Sequence, residues 1–436
     1  MQDRAVVIVL PEWPSKGTGG PLGFASLLLR ALLEQPARAW EIYVVATVAN
    51  QALRLDAPGD LQELLRTGAE ARRGLRSRIT QYLFAKLPYS PVPAVRSGFA
   101  RLRQRRRRAQ QRRLQELLAA IAARHSRVLV HVHDVETGAK SVPACQALPN
   151  VFLVHTEHGK GGLLSEYSKM LRQESPEPAV EWVREQYETL FRQARAITFP
   201  SFGALRLFAE AMPQMHSVLR QKAAVILTGI PQEAPDAAPI REPRPGHRLF
   251  AIAQHVPEKG IDRMIEALAA CKQQGLALHL RVAGAETVKT PELHALRDRL
   301  GLQENIEFLG AVSHARVLEE LRQCDLYLAC PRVVVFDLSL LEAMSAGVPI
   351  VTARLPGNVE ALGEDYEGYF DGERELPSVL AGVLADAEKA RRMGEGNRAR
   401  CRAQFTLHHM VEQYLGLYGQ VVDGAFHAHE LPRDLA

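Results

Sequence analysis

Short, wholly apolar runs of strand length alternate with amphipathic stretches of helix length along almost the whole 436-residue chain. This alternation predicts repeated β-α-β units, and strands that are apolar along their whole length are typical of parallel sheets covered on both faces. In the first half the predicted strands are AVVIVL (5–10), EIYVVAT (41–47), RVLVHVH (127–133), VFLVH (151–155), AITFP (196–200) and AVILTG (224–229). In the second half they are RLFAIAQ (248–254), LHLRVAG (278–284), IEFLG (306–310), DLYLAC (325–330), VPIVT (348–352) and EGYFD (367–371).

The two halves are separated by PQEAPDAAPIREPRPG (231–246), which is rich in proline and charge and poor in apolar residues, as linkers are. With 47% hydrophobic residues, the chain can supply two cores of ordinary size. We therefore expect an α/β fold of two Rossmann-like, doubly wound domains, residues 1–230 and 247–407, that face each other across a cleft. Ligands of such domains bind at the carboxyl ends of the strands.

Charge and cysteine content argue against several classes of protein. The net charge of +5 is mild for this length and does not by itself indicate nucleic-acid binding. The five cysteines are odd in number and never form CxxC, which argues against a disulfide framework or a zinc site and favours a reducing cytoplasm. The opening MQDRAVVIVLPEW is too short in its apolar core for a signal peptide, and no run reaches the roughly 18 apolar residues of a membrane span. We expect a soluble or peripheral protein.

A glycine-rich loop, KGTGG, follows the first predicted strand and precedes a helix. Gly17, Gly19 and Gly20 would let the backbone approach a ligand, and the N–H groups of the following helix would face an oxyanion. The spacing matches neither the dinucleotide fingerprint nor the Walker loop. A tight turn without a ligand is therefore the alternative interpretation.

Two stretches of the second half carry charge where a ligand of such a fold would lie. In AQHVPEKGIDRMIEAL (253–268), Lys259 follows a strand and precedes a helix, where it could hold a phosphate or be a solvated loop lysine. In DLSLLEAMSAGVPIVTA (337–353), we place Glu342 in the first turn of a helix that Gly347 ends. Its carboxylate could accept hydrogen bonds from a ribose diol or simply complement the helix dipole, while the helix amino terminus would attract phosphates.

These residues resemble glycosyltransferase family 4, whose members have the GT-B fold. The resemblance rests on VPEKG, IEFLGAVSHARVLEELRQCDLYLACP, LLEAMSAGVPIVTA and GNVEAL, together with VHVHD and the early GG loop. It spans almost the whole chain and is most specific in the second half. It implies transfer of a sugar, with retention, from a nucleotide diphosphate sugar, without a metal and without any other cofactor. It also implies that residues 408–436 form a helix that crosses back to the first domain.

The resemblance implies roles for particular residues. Lys259 would hold the diphosphate, Glu342 the ribose hydroxyls, and the backbone of Leu309, Gly310 and Ala311 the base. In the first domain His158, within VHTEHGKGG, falls at the family's histidine near the donor sugar. The remaining predicted donor contacts are Gly19, Gly20, Gln254, Asp337 and Leu338.

The chain departs from the family's pattern at two of these contacts. Val334 stands where the family usually has the first of two paired glutamates, which contacts the donor sugar, and Gln254 stands where it has an arginine beside the diphosphate. Asp337, at a position where glycine is common, or Arg332 could substitute in part. Three interpretations remain: an active transferase with unusual donor contacts, a weakly active one, or a protein that binds without catalysing.

A strongly basic segment, residues 96–125, predicts one long helix with arginines from Arg101 to Arg113 and an apolar stripe only further on. It could be a solvated face or could contact an anionic membrane, on which lipid-linked acceptors lie. No aromatic residues are interleaved with the arginines, so we expect no nucleic-acid partner.

The sequence thus predicts a cytoplasmic glycosyltransferase, peripheral on the inner face of a membrane, that acts on a glycan, lipid-linked or polysaccharide acceptor. The alternative is a GT-B protein that serves as a binding or partner subunit. The base, the sugar, the acceptor, the linkage and the oligomeric state cannot be predicted from the sequence.

Overall fold

The computed structural model describes residues 3–13, 20–35, 39–73, 93–159, 176–232 and 246–429, and the chain divides into two compact units. The first unit comprises Met1–Pro200, Leu205–Ile226 and Val411–Ala436. The second unit comprises Ser201–Ala204 and Leu227–Met410. Most of the predicted linker, from 233 to 245, lies outside the described residues.

The first unit is built on a seven-stranded sheet with strand order β3-β2-β1-β4-β5-β6-β7. Its strands are β1 (Arg4–Leu10), β2 (Glu41–Ala46), β3 (Gln51–Leu55), β4 (Arg127–Val132), β5 (Val151–Thr156), β6 (Ala196–Phe199) and β7 (Ala223–Val225). All neighbours pair in parallel except β2 and β3. Its helices are α1 (Gly20–Leu33), α2 (Pro58–Arg73), α3 (Pro93–Ala122), α4 (Val135–Ala147), α5 (Pro176–Gln193), α6 (Phe202–Ala211) and α7 (His216–Lys222).

The second unit is built on a six-stranded parallel sheet with strand order β10-β9-β8-β11-β12-β13. Its strands are β8 (His247–Ile252), β9 (Leu278–Ala283), β10 (Ile306–Gly310), β11 (Leu326–Ala329), β12 (Ile350–Ala353) and β13 (Tyr369–Phe370). The helices are α8 (Ile261–Gln273), α9 (Thr290–Arg299), α10 (His314–Gln323), α11 (Leu338–Ala346), α12 (Pro356–Leu362), α13 (Leu376–Ala385), α14 (Ala387–Gln404) and α15 (Leu407–Asp423). The residues of α15 from Val411 onward belong to the first unit.

The predicted α/β fold class and the predicted parallel strands are confirmed. The reason is visible in the burial of the strands: every residue from Ala5 to Leu10 is fully buried, and so are Leu249, Phe250 and Ala251. A strand buried on both faces needs apolar side chains at consecutive positions, which is the pattern that the sequence shows. The helix predicted over residues 408–436 is present as α15 but ends at Asp423; residues 425–429 are not helical, and residues 430–436 lie outside the described residues.

Three strands differ from the prediction. β3 was not predicted; it is a short antiparallel strand at the end of the sheet order whose side chains are mostly exposed, so it lacks the apolar run of the others. The predicted strand 224–229 is only β7, because the chain leaves the sheet after Val225 although Ile226 stays buried. The predicted strand 367–371 contributes only the two residues of β13.

The predicted basic helix is confirmed as α3, which has 30 residues. Its apolar stripe lies in its last turns, where Leu114, Leu118 and Ile121 are buried, whereas Arg105, Arg106, Arg108, Arg112 and Arg113 are exposed. Within the described ranges, no helix combines the length and the apolar character needed to cross a membrane.

Both sheets reverse their winding direction at one place. In the first unit the reversal lies between β1 and β4, and in the second between β8 and β11. Loops after such neighbouring strands diverge to opposite faces of the sheet, which leaves a crevice at the carboxyl ends. The segments that follow β8 and β11 carry Lys259 and Glu342.

Candidate functional site

The lysine predicted to hold a diphosphate lies in a short 3-10 turn, Pro257–Lys259, just after β8. Gly260 follows it with a left-handed φ of 65° and begins the transition to α8. A side chain at residue 260 would collide with the carbonyl oxygen of Cys330, so this turn requires glycine on grounds of both space and conformation. The turn thus holds Lys259 at the carboxyl end of the sheet.

Lys259 is not solvated on its own. Its Nζ lies 3.1 Å from Oδ2 of Asp337, and the lysine and aspartate side chains are 31% and 12% exposed. Asp337 is also the N-cap of α11: its Oδ1 accepts hydrogen bonds from the backbone N–H and the hydroxyl of Ser339, at 3.1 and 2.5 Å. Both carboxylate oxygens are therefore engaged.

These contacts keep Asp337 ionised. Burial alone would raise the pKa of the Asp337 carboxyl, but the Lys259 ammonium and the hydrogen bonds from Ser339 outweigh it, and the pKa lies below its usual value. At neutral pH the amino terminus of α11 thus carries a fixed negative charge.

Glu342 lies on α11, but the prediction that it occupies the first turn is wrong. The helix begins at Leu338, and no acidic residue lies in its first turn. Glu342 is in the second turn, because the chain folds into helix only after the Asp337 cap. The helix dipole acts mainly within the first turn, so a role for Glu342 in complementing the dipole loses its basis.

The partner of Glu342 is a histidine and not a second acid. Its Oε1 lies 3.0 Å from Nε2 of His314, at the start of α10. The Glu342 side chain is 22% exposed, while Leu340, Leu341 and Met344 of the same helix are buried as predicted, and Gly347 ends the helix in a left-handed conformation. Glu342 is therefore a carboxylate at the edge of the core that a ligand can reach.

The buried Tyr327 lies near the carboxylates of Asp337 and Glu342, and its pKa is sensitive to their charge. Burial raises the pKa of Tyr327 far above its usual value, and the carboxylates of Asp337 and Glu342 add to the increase. We refer to Lys259, Asp337 and Glu342 as the second-unit site.

Other residues predicted for the donor lie at strand ends or on α11. Gln254 is exposed and follows β8, Leu309 and Gly310 are the last residues of β10, Ala311 is exposed just beyond it, and Leu338 is the first residue of α11. No contact among the described residues assigns a role to them, so their roles remain predictions. Val334 is buried in the irregular segment between β11 and α11.

Arg332 does not compensate for the arginine that is absent at Gln254. Its guanidinium forms a two-pronged ion pair with Asp262, at 2.9 and 2.6 Å, and also donates to the carbonyl oxygen of Pro257 at 2.6 Å. The bond from Arg332 holds the pKa of the Asp262 carboxyl below its usual value, against the effect of burial. Arg332 thus braces the turn that carries Lys259.

In the first unit, His158 lies just beyond the carboxyl end of β5. Its Nε2 is 3.2 Å from Nδ1 of His133, which follows β4, and the Phe24 ring of α1 is 4.8 Å from its own ring. Burial, with a further contribution from His155, lowers the pKa of His158 to about 3. The imidazole is therefore neutral at physiological pH.

His158 belongs to a group of four imidazoles, His131, His133, His155 and His158, which we call the histidine cluster. The rings of His131 and His133 are 4.2 Å apart. His131 bonds the Tyr418 hydroxyl and the Thr156 hydroxyl, each at 2.7 Å, and His155 bonds Glu157 at 3.0 Å. Only His158 was predicted from the sequence. The signal for His131 and His133 was the alternating pair of histidines in VHVHD, polar residues within an otherwise apolar strand, and His155 is the last residue of the predicted strand VFLVH.

The glycine-rich loop is described only at its end. Gly17 and Gly19 lie outside the described residues, and Gly20 is the first residue of α1. Over the described ranges, no group of three or more histidine, cysteine, aspartate or glutamate side chains is arranged to hold a metal ion.

Known protein families and sequences were compared with the chain that carries this site. The family described as Glycosyl transferases group 1 matches residues 236–400, which contain the whole second-unit site. The uncharacterized glycosyltransferase YqgM of Bacillus subtilis is 28% identical over 309 residues, 68% of this chain and 79% of YqgM. The chain is a glycosyltransferase.

Solved structures support the GT-B fold of this glycosyltransferase. Sucrose-phosphate synthase from Thermosynechococcus elongatus superposes with a TM-score of 0.66 at 15% identity, covering 97% of this chain and 100% of that one. Anabaena HepE in complex with UDP superposes with a TM-score of 0.61 at 15% identity, covering 95% and 100%.

Proposed function

We propose that this glycosyltransferase is a retaining member of glycosyltransferase family 4. In this proposal it moves a sugar from a nucleotide diphosphate sugar to a glycan, lipid-linked or polysaccharide acceptor without a metal or other cofactor. The observation that carries the proposal is the position of Lys259 and Glu342. A cation after β8 and a carboxylate on the helix after β11 flank the place where the sheet of the second unit reverses its winding. That place is where doubly wound sheets bind nucleotides.

Each side chain fits one part of the donor. The Lys259 ammonium suits a diphosphate as a point charge, and the reachable Glu342 carboxylate suits the two ribose hydroxyls as a double acceptor. HepE, which shares the fold, has been crystallised with UDP, and this makes UDP sugars the first donors to test.

His158 would act as a neutral hydrogen-bonding group and not as a general acid, because its pKa is lowered to about 3. Nε2 of His133 is buried and has no hydrogen-bond partner among the described residues. A bare lone pair is tolerated there better than a buried N–H, so the proton of His133 lies on Nδ1 and is donated to Nε2 of His158. His158 then carries its own proton on Nδ1, where it can bond a sugar hydroxyl.

Peripheral attachment to the inner face of a membrane, in the cytoplasm, is part of the proposal. Five exposed arginines lie within nine residues of α3, from Arg105 to Arg113, and Leu102 on the same helix is 47% exposed. Each basic residue near an anionic surface contributes about 1 kcal/mol of attraction, so such a group suffices for salt-sensitive binding.

A protein that binds the donor without transferring it is the second candidate function. The observations in its favour are the absence of the first paired glutamate at Val334 and the engagement of Lys259 by Asp337. Turnover separates the two candidates.

The experiment is a calorimetric screen against UDP, GDP and ADP, followed by incubation with the sugars of whichever base binds. The proposal expects one base to bind and its sugar to be consumed, and Lys259→Ala to weaken the nucleotide at least tenfold. Tight binding without any consumption would favour the second candidate, and no nucleotide binding would overturn both.

A further inference from the structure

The cation that the proposed donor requires is already neutralised within the protein. Lys259 is paired with Asp337 at 3.1 Å, and Asp337 is an ionised, mostly buried carboxylate. The other two positions at which a phosphate-binding cation could be expected do not supply one, because residue 254 is an uncharged glutamine and Arg332 is committed to Asp262. A diphosphate that enters this site therefore meets a lysine whose charge is already paired with a carboxylate.

Asp337 also closes the amino terminus of α11. Its side chain takes the N–H of Ser339, and its own carbonyl oxygen takes the N–H groups of Leu340 and Leu341, at 3.1 and 3.2 Å. The bond from Leu341 is the ordinary first bond of the helix, whereas the N–H groups of Ser339 and Leu340 are donors that a helix start would otherwise offer to a phosphate. In the free protein these two donors are used within the chain, so a phosphate would have to compete with Asp337 for them.

We propose that Asp337 is a specificity-determining residue that occupies the phosphate position of the free protein, so that a nucleotide binds only by exchanging its phosphate for Asp337 on Lys259. The inference rests on the proposed function, because it takes Lys259 as the diphosphate contact. It adds that Asp337 weakens the binding of anionic ligands. The energetic cost of the exchange grows with the charge of the ligand. Nucleosides carry no phosphate, so their binding does not include this cost.

The variant that isolates the charge is Asp337→Asn. Asparagine caps helices as well as aspartate does, so the bond to Ser339 and the helix start are kept while the negative charge is lost. A like charge at hydrogen-bonding distance from phosphate oxygens lowers affinity even when solvent screens it, so we expect Asp337→Asn to bind UDP, GDP or ADP about tenfold more tightly. The matching nucleoside should change less than about twofold, and the monophosphate should lie between.

The matched control is Asp386→Asn. Asp386 caps α14 in the same way, with its Oδ1 accepting the N–H of Lys389 at 2.9 Å, and it belongs to the same unit. Thermal unfolding should show both variants folded, with Asp337→Asn melting somewhat lower than the parent because it loses the ion pair with Lys259. The control should leave all nucleotide affinities unchanged.

The measurement is isothermal titration calorimetry of parent, Asp337→Asn and Asp386→Asn with each diphosphate, monophosphate and nucleoside. Tightening that increases with phosphate charge, including binding that is detectable only in Asp337→Asn, supports the inference. Unchanged or weaker diphosphate binding by a folded Asp337→Asn overturns it while the proposed function stands. If neither parent nor variant binds any nucleotide, the proposed function fails and the inference fails with it.

Discussion

Replacing Glu342 by alanine tests whether this residue serves the ribose. A hydrogen bond to a charged group contributes about 1.5–3 kcal/mol. The Glu342 side chain is 22% exposed, and solvent weakens such bonds, so we assign a value near the lower end of this range to the two ribose bonds together. The expected loss is about 2 kcal/mol, or roughly thirtyfold in the Kd of the nucleotide diphosphate. The free nucleotide and the nucleotide sugar should lose affinity alike, because both carry the ribose.

The 2′-deoxy nucleotide sharpens the experiment. If Glu342 accepts both ribose hydroxyls, the parent should prefer UDP, or whichever diphosphate binds, over its 2′-deoxy form by about tenfold, and Glu342→Ala should lose that preference. Stability should change little, because Glu342 lies beyond the first turn of α11 and its partner His314 is 62% exposed.

The control is His314→Ala, which removes the partner of Glu342 and leaves the carboxylate in place. It should lower nucleotide affinity by no more than about threefold. Calorimetry that finds Glu342→Ala as tight as the parent, with its preference over the 2′-deoxy form intact, would show that Glu342 does not contact the ribose.

Three further predictions concern the membrane, acid stability and metal. Replacing four exposed arginines of α3 by glutamine should reduce pelleting with anionic vesicles, most visibly at low salt, whereas removing four scattered arginines should have a smaller effect; equal effects would contradict the membrane surface. The α3 variant changes Arg105, Arg106, Arg108 and Arg112; the control changes Arg299, Arg391, Arg392 and Arg402. Burial holds the pKa values of His133 and His158 below their usual 6.5, so unfolding takes up protons below that pH and stability falls from about pH 6.5 towards 3. His133→Gln should flatten the decline of Tm between pH 7 and 5, whereas the exposed control His427→Gln should not; equal slopes would argue against the cluster as the cause. Transfer should persist in EDTA, because the Lys259 ammonium is proposed to neutralise the diphosphate in place of a metal ion, and activity that is lost in EDTA and restored by Mn²⁺ would refute this.

The strands could be predicted because both sheets are buried on both faces. A run such as AVVIVL has the length of a strand, and all six of its apolar side chains are covered when the sheet is buried on both faces. β3 escaped prediction because it is antiparallel, mostly exposed and carries polar residues, as in QALRL. The predicted strand 224–229 was too long because Ile226 is buried without being part of the sheet, and burial is all that the apolar pattern reports.

Site residues could be predicted from the sequence only where their position depends on a neighbouring strand or helix. Lys259 and Glu342 could be located because each follows a strand closely. The bond between Lys259 and Asp337 joins residues 78 positions apart, and that between His133 and His158 joins residues 25 positions apart. Such contacts depend on how strands pair across the sheet, which the pattern within either segment does not contain. Glu342 was placed one turn too early because the extent of the Asp337 cap was not predicted.

The most direct test of the central claim is donor consumption with stereochemical readout. Purified protein is incubated with UDP, GDP and ADP sugars and with lipid and glycan extracts as acceptors, and both nucleotide release and the anomeric configuration of the product are followed by NMR. We expect that one donor is consumed, that the transferred sugar retains its configuration, and that Lys259→Ala abolishes both signals. A donor that binds in calorimetry but is neither hydrolysed nor transferred, or a product with inverted configuration, would contradict it.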